Sequence, residues 1–227
     1  MSERAARRLC LVGASGLTGQ ALIRACIGRR DVRLQAVARA EVPLPKGARM
    51  EVLVAPTSGW ADAIAATRPQ VLVSALGTTR AKAGSEEAFR AVDFDLTLAA
   101  ARAGVAAGAR QLVLVSSTMA DSTSATFYLR MKGEIEEAVL RLGYHRVDIV
   151  RPGLLRGPRA ERRVLERAAQ LASPLVDLAL HGQYRRYRSV PIELLARAIL
   201  GLTQERAGGR FVHEYDAILR AAARLND

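Results

Sequence analysis

Tyr128 and Lys132 stand four residues apart in Tyr128-Leu129-Arg130-Met131-Lys132, about a dozen residues after Ser116-Ser117. On a helix that spacing puts both side chains on one face, where an ammonium lowers the pKa of a phenol and makes it a proton donor or acceptor near neutral pH. Far upstream lies Gly13-x-x-Gly16-x-x-Gly19. The pair and the glycine motif together point to carbonyl reduction or alcohol oxidation with a nicotinamide cofactor.

Such groups must be positioned by elements that meet at one edge. Short apolar runs alternate with helical stretches, the pattern of a parallel sheet covered on both faces. The runs Arg8 to Val12, Val32 to Ala38, Met50 to Val54, Val71 to Leu76, Gln111 to Val115 and Arg146 to Val150 read as strands. Leu17 to Arg29, Trp60 to Thr67, Glu86 to Ala106 and Thr126 to Leu142 read as the helices between them, with Glu41 to Arg49 a loop. Past Pro152-Gly153 the pattern weakens into helices Ala160 to Leu180 and Ile192 to Leu202, a short strand at Phe211 to Glu214 and a terminal helix. The expected fold is α/β, a Rossmann-type doubly wound parallel sheet in a single domain over 1–227. Residues 1–153 form its cofactor and catalytic core and 154–227 a small substrate-side cap, where Leu154, Leu155 and the stretch from Ala168 to Leu180 suggest an apolar wall.

Gly13-Ala14-Ser15-Gly16-Leu17-Thr18-Gly19 falls between the first strand and the first helix. Glycine there permits a tight turn and close approach of backbone to a pyrophosphate facing the helix N-terminus, so Gly13, Ser15, Gly16, Leu17, Thr18 and Gly19 are the expected phosphate cradle. The second strand ends in Val37-Ala38-Arg39-Ala40 with no carboxylate, and Arg39 suits a ribose 2′-phosphate, which favours NADP(H) over NAD(H). Leu76-Gly77-Thr78 ends the fourth strand and is expected to line the same crevice.

Composition sets the outer bounds. Half of the 227 residues are apolar, and no uncharged stretch reaches the roughly 18 residues of a membrane span. The basic start lacks a signal-cleavage pattern, and Cys10 and Cys26 have no C-x-x-C spacing, so a cytoplasmic protein with free buried thiols is expected. His145, His181 and His213 lack metal-ligand spacing. The net charge of +12 invites a nucleic-acid reading, yet only 4% of residues are aromatic, and 31 of the 34 basic residues are arginines spread along the chain. A solvated basic surface that attracts phosphorylated cofactors accounts for this better. His181-Gly182-Gln183-Tyr184-Arg185-Arg186-Tyr187-Arg188 is the one place where aromatics interleave with dense positive charge and where nucleic acid could associate; a lid, an oligomer contact or a site for an acidic substrate group fits it better.

These residues resemble the short-chain dehydrogenase/reductase superfamily in its atypical branch. The closer likeness is to the Tat-interacting oxidoreductase subgroup, through Leu76-Gly77-Thr78-Thr79-Arg80-Ala81-Lys82-Ala83-Gly84, Val115-Ser116-Ser117, Tyr128-Leu129, Lys132-Gly133-Glu134 and Arg151-Pro152-Gly153. The resemblance implies that Tyr128 exchanges a proton with the substrate oxygen and that Lys132 holds the nicotinamide ribose and stabilises the tyrosinate. It implies that Ser117 bonds the developing oxyanion, with Ser116 and Thr118 open alternatives, and that Pro152 sets backbone beside the carboxamide. It implies a small-molecule substrate, and it also admits a cofactor-binding regulator or scaffold; the long helices Glu86 to Ala106 and Thr126 to Leu142 could pair two subunits, so a monomer or homodimer is expected.

Overall fold

The computed structural model describes residues 6–157 and 180–225. Its order is β1 (Arg7–Val12), α1 (Leu17–Ala25), β2 (Val32–Ala38), β3 (Glu51–Val54), α2 (Trp60–Ala66), β4 (Val71–Ser74), α3 (Arg80–Ala83), α4 (Glu86–Arg90), α5 (Thr97–Ala106), β5 (Gln111–Val115) and α6 (Phe127–Leu140). Then come β6 (Arg146–Val150), β7 (Leu155–Arg156), β8 (Val190–Pro191), α7 (Ile192–Gln204), β9 (Gly209–His213) and α8 (Tyr215–Ala223). The sheet runs β3-β2-β1-β4-β5-β6-β9 with every pairing parallel, and β7 and β8 form a separate two-stranded ladder. The expected α/β doubly wound sheet is what the chain forms.

The apolar runs are continuous because the central strands are buried on both faces. Leu9, Leu11, Val71, Val73 and Val113 pack with Leu22 of α1, Leu195 and Ile199 of α7 and Ile218 of α8. Cys10, Val12, Leu72, Leu112 and Leu114 point the other way, onto Trp60 and Ile64 of α2, Ala100 and Ala101 of α5, and Ile135 and Val139 of α6. Alternation along each strand thus feeds two cores from one sheet.

The strand expected at Phe211 to Glu214 forms as β9, beside β6 at the sheet's edge. A buried polar cluster fastens it. Asp148 of β6 is fully buried and accepts 2.7 Å bonds from Arg146 Nε, Arg146 Nη2 and Gln111 Nε2, while His213 Nε2 of β9 lies 2.8 Å away. Desolvation pushes the Asp148 carboxyl up, but the bonds from His213, Arg146 and Gln111 outweigh it and hold it below the usual carboxylate range. Arg7 of β1 adds a 2.9 Å bond to Gln111 Oε1 and reaches the Glu205 carbonyl at 3.3 Å.

One helix departs from expectation. The stretch Glu86 to Ala106 divides into α4, a π-helical turn over Ala91–Leu96, and α5. The widened turn carries Asp93, a carboxylate directed into the protein interior; such bulges accompany functional sites. The helix expected over Ala160 to Leu180, and the apolar wall expected from Ala168 onward, lie outside the described residues.

Candidate functional site at the carboxyl edge of the sheet

The order β3-β2-β1-β4-β5-β6 reverses direction between β1 and β4, and a crevice opens at that point beyond the strand ends. The glycine turn lies there. Gly13 has φ +88°, and a Cβ on it would sit 2.4 Å from the Ala75 carbonyl oxygen beyond β4. A Cβ on Gly19 would meet the Gly13 oxygen at 2.2 Å, so the spacing of these glycines is dictated by contact between the turn, β4 and α1. α1 begins after Gly16 with no side-chain cap and no acidic residue in its first turn, while Ser15 and Gly16 are exposed. An uncapped helix N-terminus with a bare backbone approach fits a dinucleotide pyrophosphate. Leu17 and Thr18 turn inward instead; Thr18 is buried and Leu17 packs on the core.

Arg39 is exposed, one residue past β2. Leu76, Gly77 and Thr78 follow β4 along the same edge, and the Thr78 N–H donates to Asp93 Oδ2 at 2.8 Å. Asp93 Oδ1 in turn lies 2.7 Å from Lys132 Nζ. Lys132 and Asp93 are 5% and 1% exposed, so the pair is withdrawn from water and joins α6 to the turn after β4. Tyr128 is 40% exposed, its ring edge-on to Phe89 at 5.9 Å, with the Lys132 ammonium 6.0 Å from its centroid. The phenol reaches solvent while the ammonium stays beneath the surface.

The hydroxyl run follows β5. Ser116 is buried and donates a short hydrogen bond to Glu136, which also receives both Nε and Nη2 of Arg151. That bond to Glu136 raises the Arg151 pKa further and keeps the guanidinium charged. Ser117 is half-buried, and its hydroxyl makes no hydrogen bond among the described residues. Thr118 donates its N–H to the Pro152 carbonyl at 3.0 Å, and its Oγ1 lies 3.5 Å from the Arg186 carbonyl. The run therefore touches both Pro152 and the basic segment. Its approach to α6 is equally tight: a Cβ on Gly133 would fall 2.0 Å from the Ser122 nitrogen.

Three features escaped the sequence reading. Asp93 leads Thr97, Ala100, Ala101 and Gly104, all buried, at helical spacing, so a carboxylate on the core-facing side was the available signal. Glu136 repeats the four-residue step from Tyr128 and Lys132 and so shares their face. The third, contact of the basic segment with the hydroxyl run, joins residues 68 apart and has no local signature. Among the described residues no group of His, Cys, Asp and Glu is arranged to hold a metal, and no helix is long and apolar enough to cross a membrane.

A glycine turn at the switch point of a seven-stranded parallel sheet defines an α/β protein of the Rossmann type. The fold is shared with Bordetella bronchiseptica WbmG in complex with NAD, at a TM-score of 0.67 and 14% identity over 94% of this chain and 74% of that one. It is shared equally with Thermotoga maritima UDP-glucose 4-epimerase with UDP-glucose, at 0.68 and 11% over 91% and 76%. No protein-family model matches the chain. The chain belongs to the family of fungal Fmp52 proteins: it is 39% identical to the Emericella nidulans protein over 169 residues, 71% of this chain and 72% of that one. The Saccharomyces cerevisiae member is 34% identical over 80% of each chain. These relatives are named mitochondrial, which overturns the cytoplasmic expectation. That expectation rested on missing spans and secretory signals, neither of which a mitochondrial protein must carry.

Proposed function

We propose that the protein is an NAD(P)-dependent oxidoreductase of the short-chain dehydrogenase/reductase type, acting on a small carbonyl or alcohol and preferring NADPH. The α6 pair carries the proposal: a solvent-reaching Tyr128 with the buried Lys132 ammonium 6.0 Å from its ring, on the sheet edge that also bears the glycine turn. The neighbours solved with NAD support the cofactor class. The exposed Arg39 supports the preference for a 2′-phosphate. The mitochondrial compartment named for its relatives is part of the same reading, as is the likeness to the Tat-interacting subgroup.

In this mechanism Tyr128 gives its proton to the substrate oxygen during reduction and takes it back during oxidation. The bound nicotinamide supplies or accepts the hydride. Lys132 holds ribose hydroxyls and stabilises the tyrosinate. Ser117 bonds the developing oxyanion, a role supported by its uncommitted hydroxyl where that of Ser116 is engaged by Glu136. The Pro152 backbone lies beside the carboxamide. A second reading, a cofactor-binding regulator with little turnover, is favoured by Asp93, whose carboxylate already neutralises the ammonium meant to activate the phenol.

The test is a parallel titration of the protein with NADPH and NADH at moderate salt, followed by a carbonyl screen with Tyr128→Phe as control. Tight NADPH binding and turnover lost in the variant support the enzyme. Binding with no turnover in either protein supports the regulator, and failure to bind either cofactor removes both readings.

A further inference from the structure

The basic segment lies against the active-site loops. Residues Gly182–Tyr187 form a 3₁₀ turn whose Arg186 carbonyl approaches Thr118 Oγ1 at 3.5 Å. A Cβ on Gly153, next to Pro152, would collide with the Arg188 carbonyl oxygen at 2.4 Å, so the segment and the strand-end loop after β6 touch backbone to backbone. Beside this contact the turn, the end of β9 and the start of α8 line an open hollow of about 470 Å³. Its walls include Arg185, Arg186 and Arg220, with Glu214 and Asp216 as the carboxylates.

The charges do not cancel. Asp216 is taken by Arg185 at 2.6 Å. Arg186 stacks over the Tyr187 ring at 4.9 Å, and neither it nor Arg220 has a carboxylate partner among the described residues. Glu214 is the remaining acid of the lining, so three guanidinium groups stand against two carboxylates there. The pyrophosphate cradle lies elsewhere, at the turn after β1, so these arginines are not spent on the cofactor.

We propose that this hollow receives an anionic group of the substrate, a carboxylate or a phosphate, held by Arg186 and Arg220. A guanidinium presents paired N–H donors to either group. The substrate is then a carbonyl or alcohol compound with an acidic tail, its reactive end at Ser117 and Tyr128 and its charge beyond Thr118. This rests on the oxidoreductase reading for the chemistry at the reactive end, but not for the anion site itself.

Binding tests it directly. NADPH-loaded protein, whose glycine turn is filled, is titrated calorimetrically with inorganic phosphate and separately with benzoate at constant ionic strength. Saturable binding of at least one probe is expected, weakened about tenfold or more in Arg186→Ala/Arg220→Ala as two charge-assisted bonds are lost. Binding is unchanged in Arg33→Ala, at the opposite end of the sheet. Phosphate alone or benzoate alone identifies which acid the site takes. Neither probe binding the wild type, or a folded double variant binding as the wild type does, overturns the proposal. If NADPH itself fails to load, the oxidoreductase reading falls separately, and benzoate titrated into the unloaded protein and the double variant still decides the anion site.

Discussion

The ammonium of Lys132 and the carboxylate of Asp93 stand 2.7 Å apart, both side chains withdrawn from solvent, and this single ion pair ties the helix bearing the phenol to the turn after β4. Removing one member strands the other in a medium that solvates it poorly. Asp93→Asn will cost about 3 kcal/mol in urea unfolding, while Asp93→Asn combined with Lys132→Met will cost less than the sum of the two single changes. Additive losses would show that the pair is not energetically coupled.

Tyr128 has little structural duty. Its ring is partly exposed and touches Phe89 edge-on. Tyr128→Phe will leave stability within about 0.5 kcal/mol and cofactor affinity unchanged, while turnover falls about a hundredfold or more for lack of the transferable proton. Steady-state kinetics beside a cofactor titration separate these effects.

Gly133→Ala sets two effects against each other. In an ordinary helix interior the change would stabilise by about 1 kcal/mol. Here the new methyl would meet the Ser122 nitrogen at 2.0 Å, and backbone cannot yield as a side-chain tip does. Displacement of the loop after Ser117 dominates, so the variant will be less stable by about 1–3 kcal/mol and will lose activity with it. A gain in melting temperature would refute the close packing.

Arg39 should govern cofactor choice. Arg39→Asp puts a carboxylate where the 2′-phosphate would sit and offers an acceptor to a free ribose hydroxyl. The ratio of NADPH to NADH affinity will fall by about tenfold or more, read from paired titrations at one salt concentration.

Acid stability will report on Asp148. Its carboxyl titrates lower in the folded protein than in the unfolded chain, where it lies near ~3.9. The stability it confers is therefore complete above that unfolded value and is lost as pH falls through the folded pKa. Asp148→Asn will be less stable at pH 7 by about 3 kcal/mol, because Arg146 is left buried without its partner. The difference from wild type will begin to shrink below about pH 4, where the unfolded chain takes up a proton, and will go on shrinking until the native carboxylate protonates at its lower pKa. A constant difference down to pH 3 would place the effect outside titration.

The sheet was legible because each central strand is a short apolar run bounded by turns, and Gly13, Gly16 and Gly19 betray a turn under contact constraint. β9 was readable as Phe211 to Glu214 within two residues. Tyr128 and Lys132 were legible because helical spacing brings them together locally. Asp93 was hidden because its partner arrives from another helix, and the π-helical turn that aims it inward is a tertiary accommodation with no propensity signal. The engagement of Ser116 was likewise hidden, because Glu136 comes from another element and is itself held by Arg151 from the far end of β6.

The position of β9 also bears on synthesis. The strand that covers β6 is drawn from residues 209–213, and His213 is the last partner to reach the Asp148 cluster. Arg7 is anchored to Glu205 across 198 positions of chain. While the polypeptide is still emerging from the ribosome, β6 has a bare edge and Asp148 lacks one of its contacts. The native sheet can close only once β9 has been translated, which leaves the nascent chain open to strand-to-strand misassociation until that strand appears.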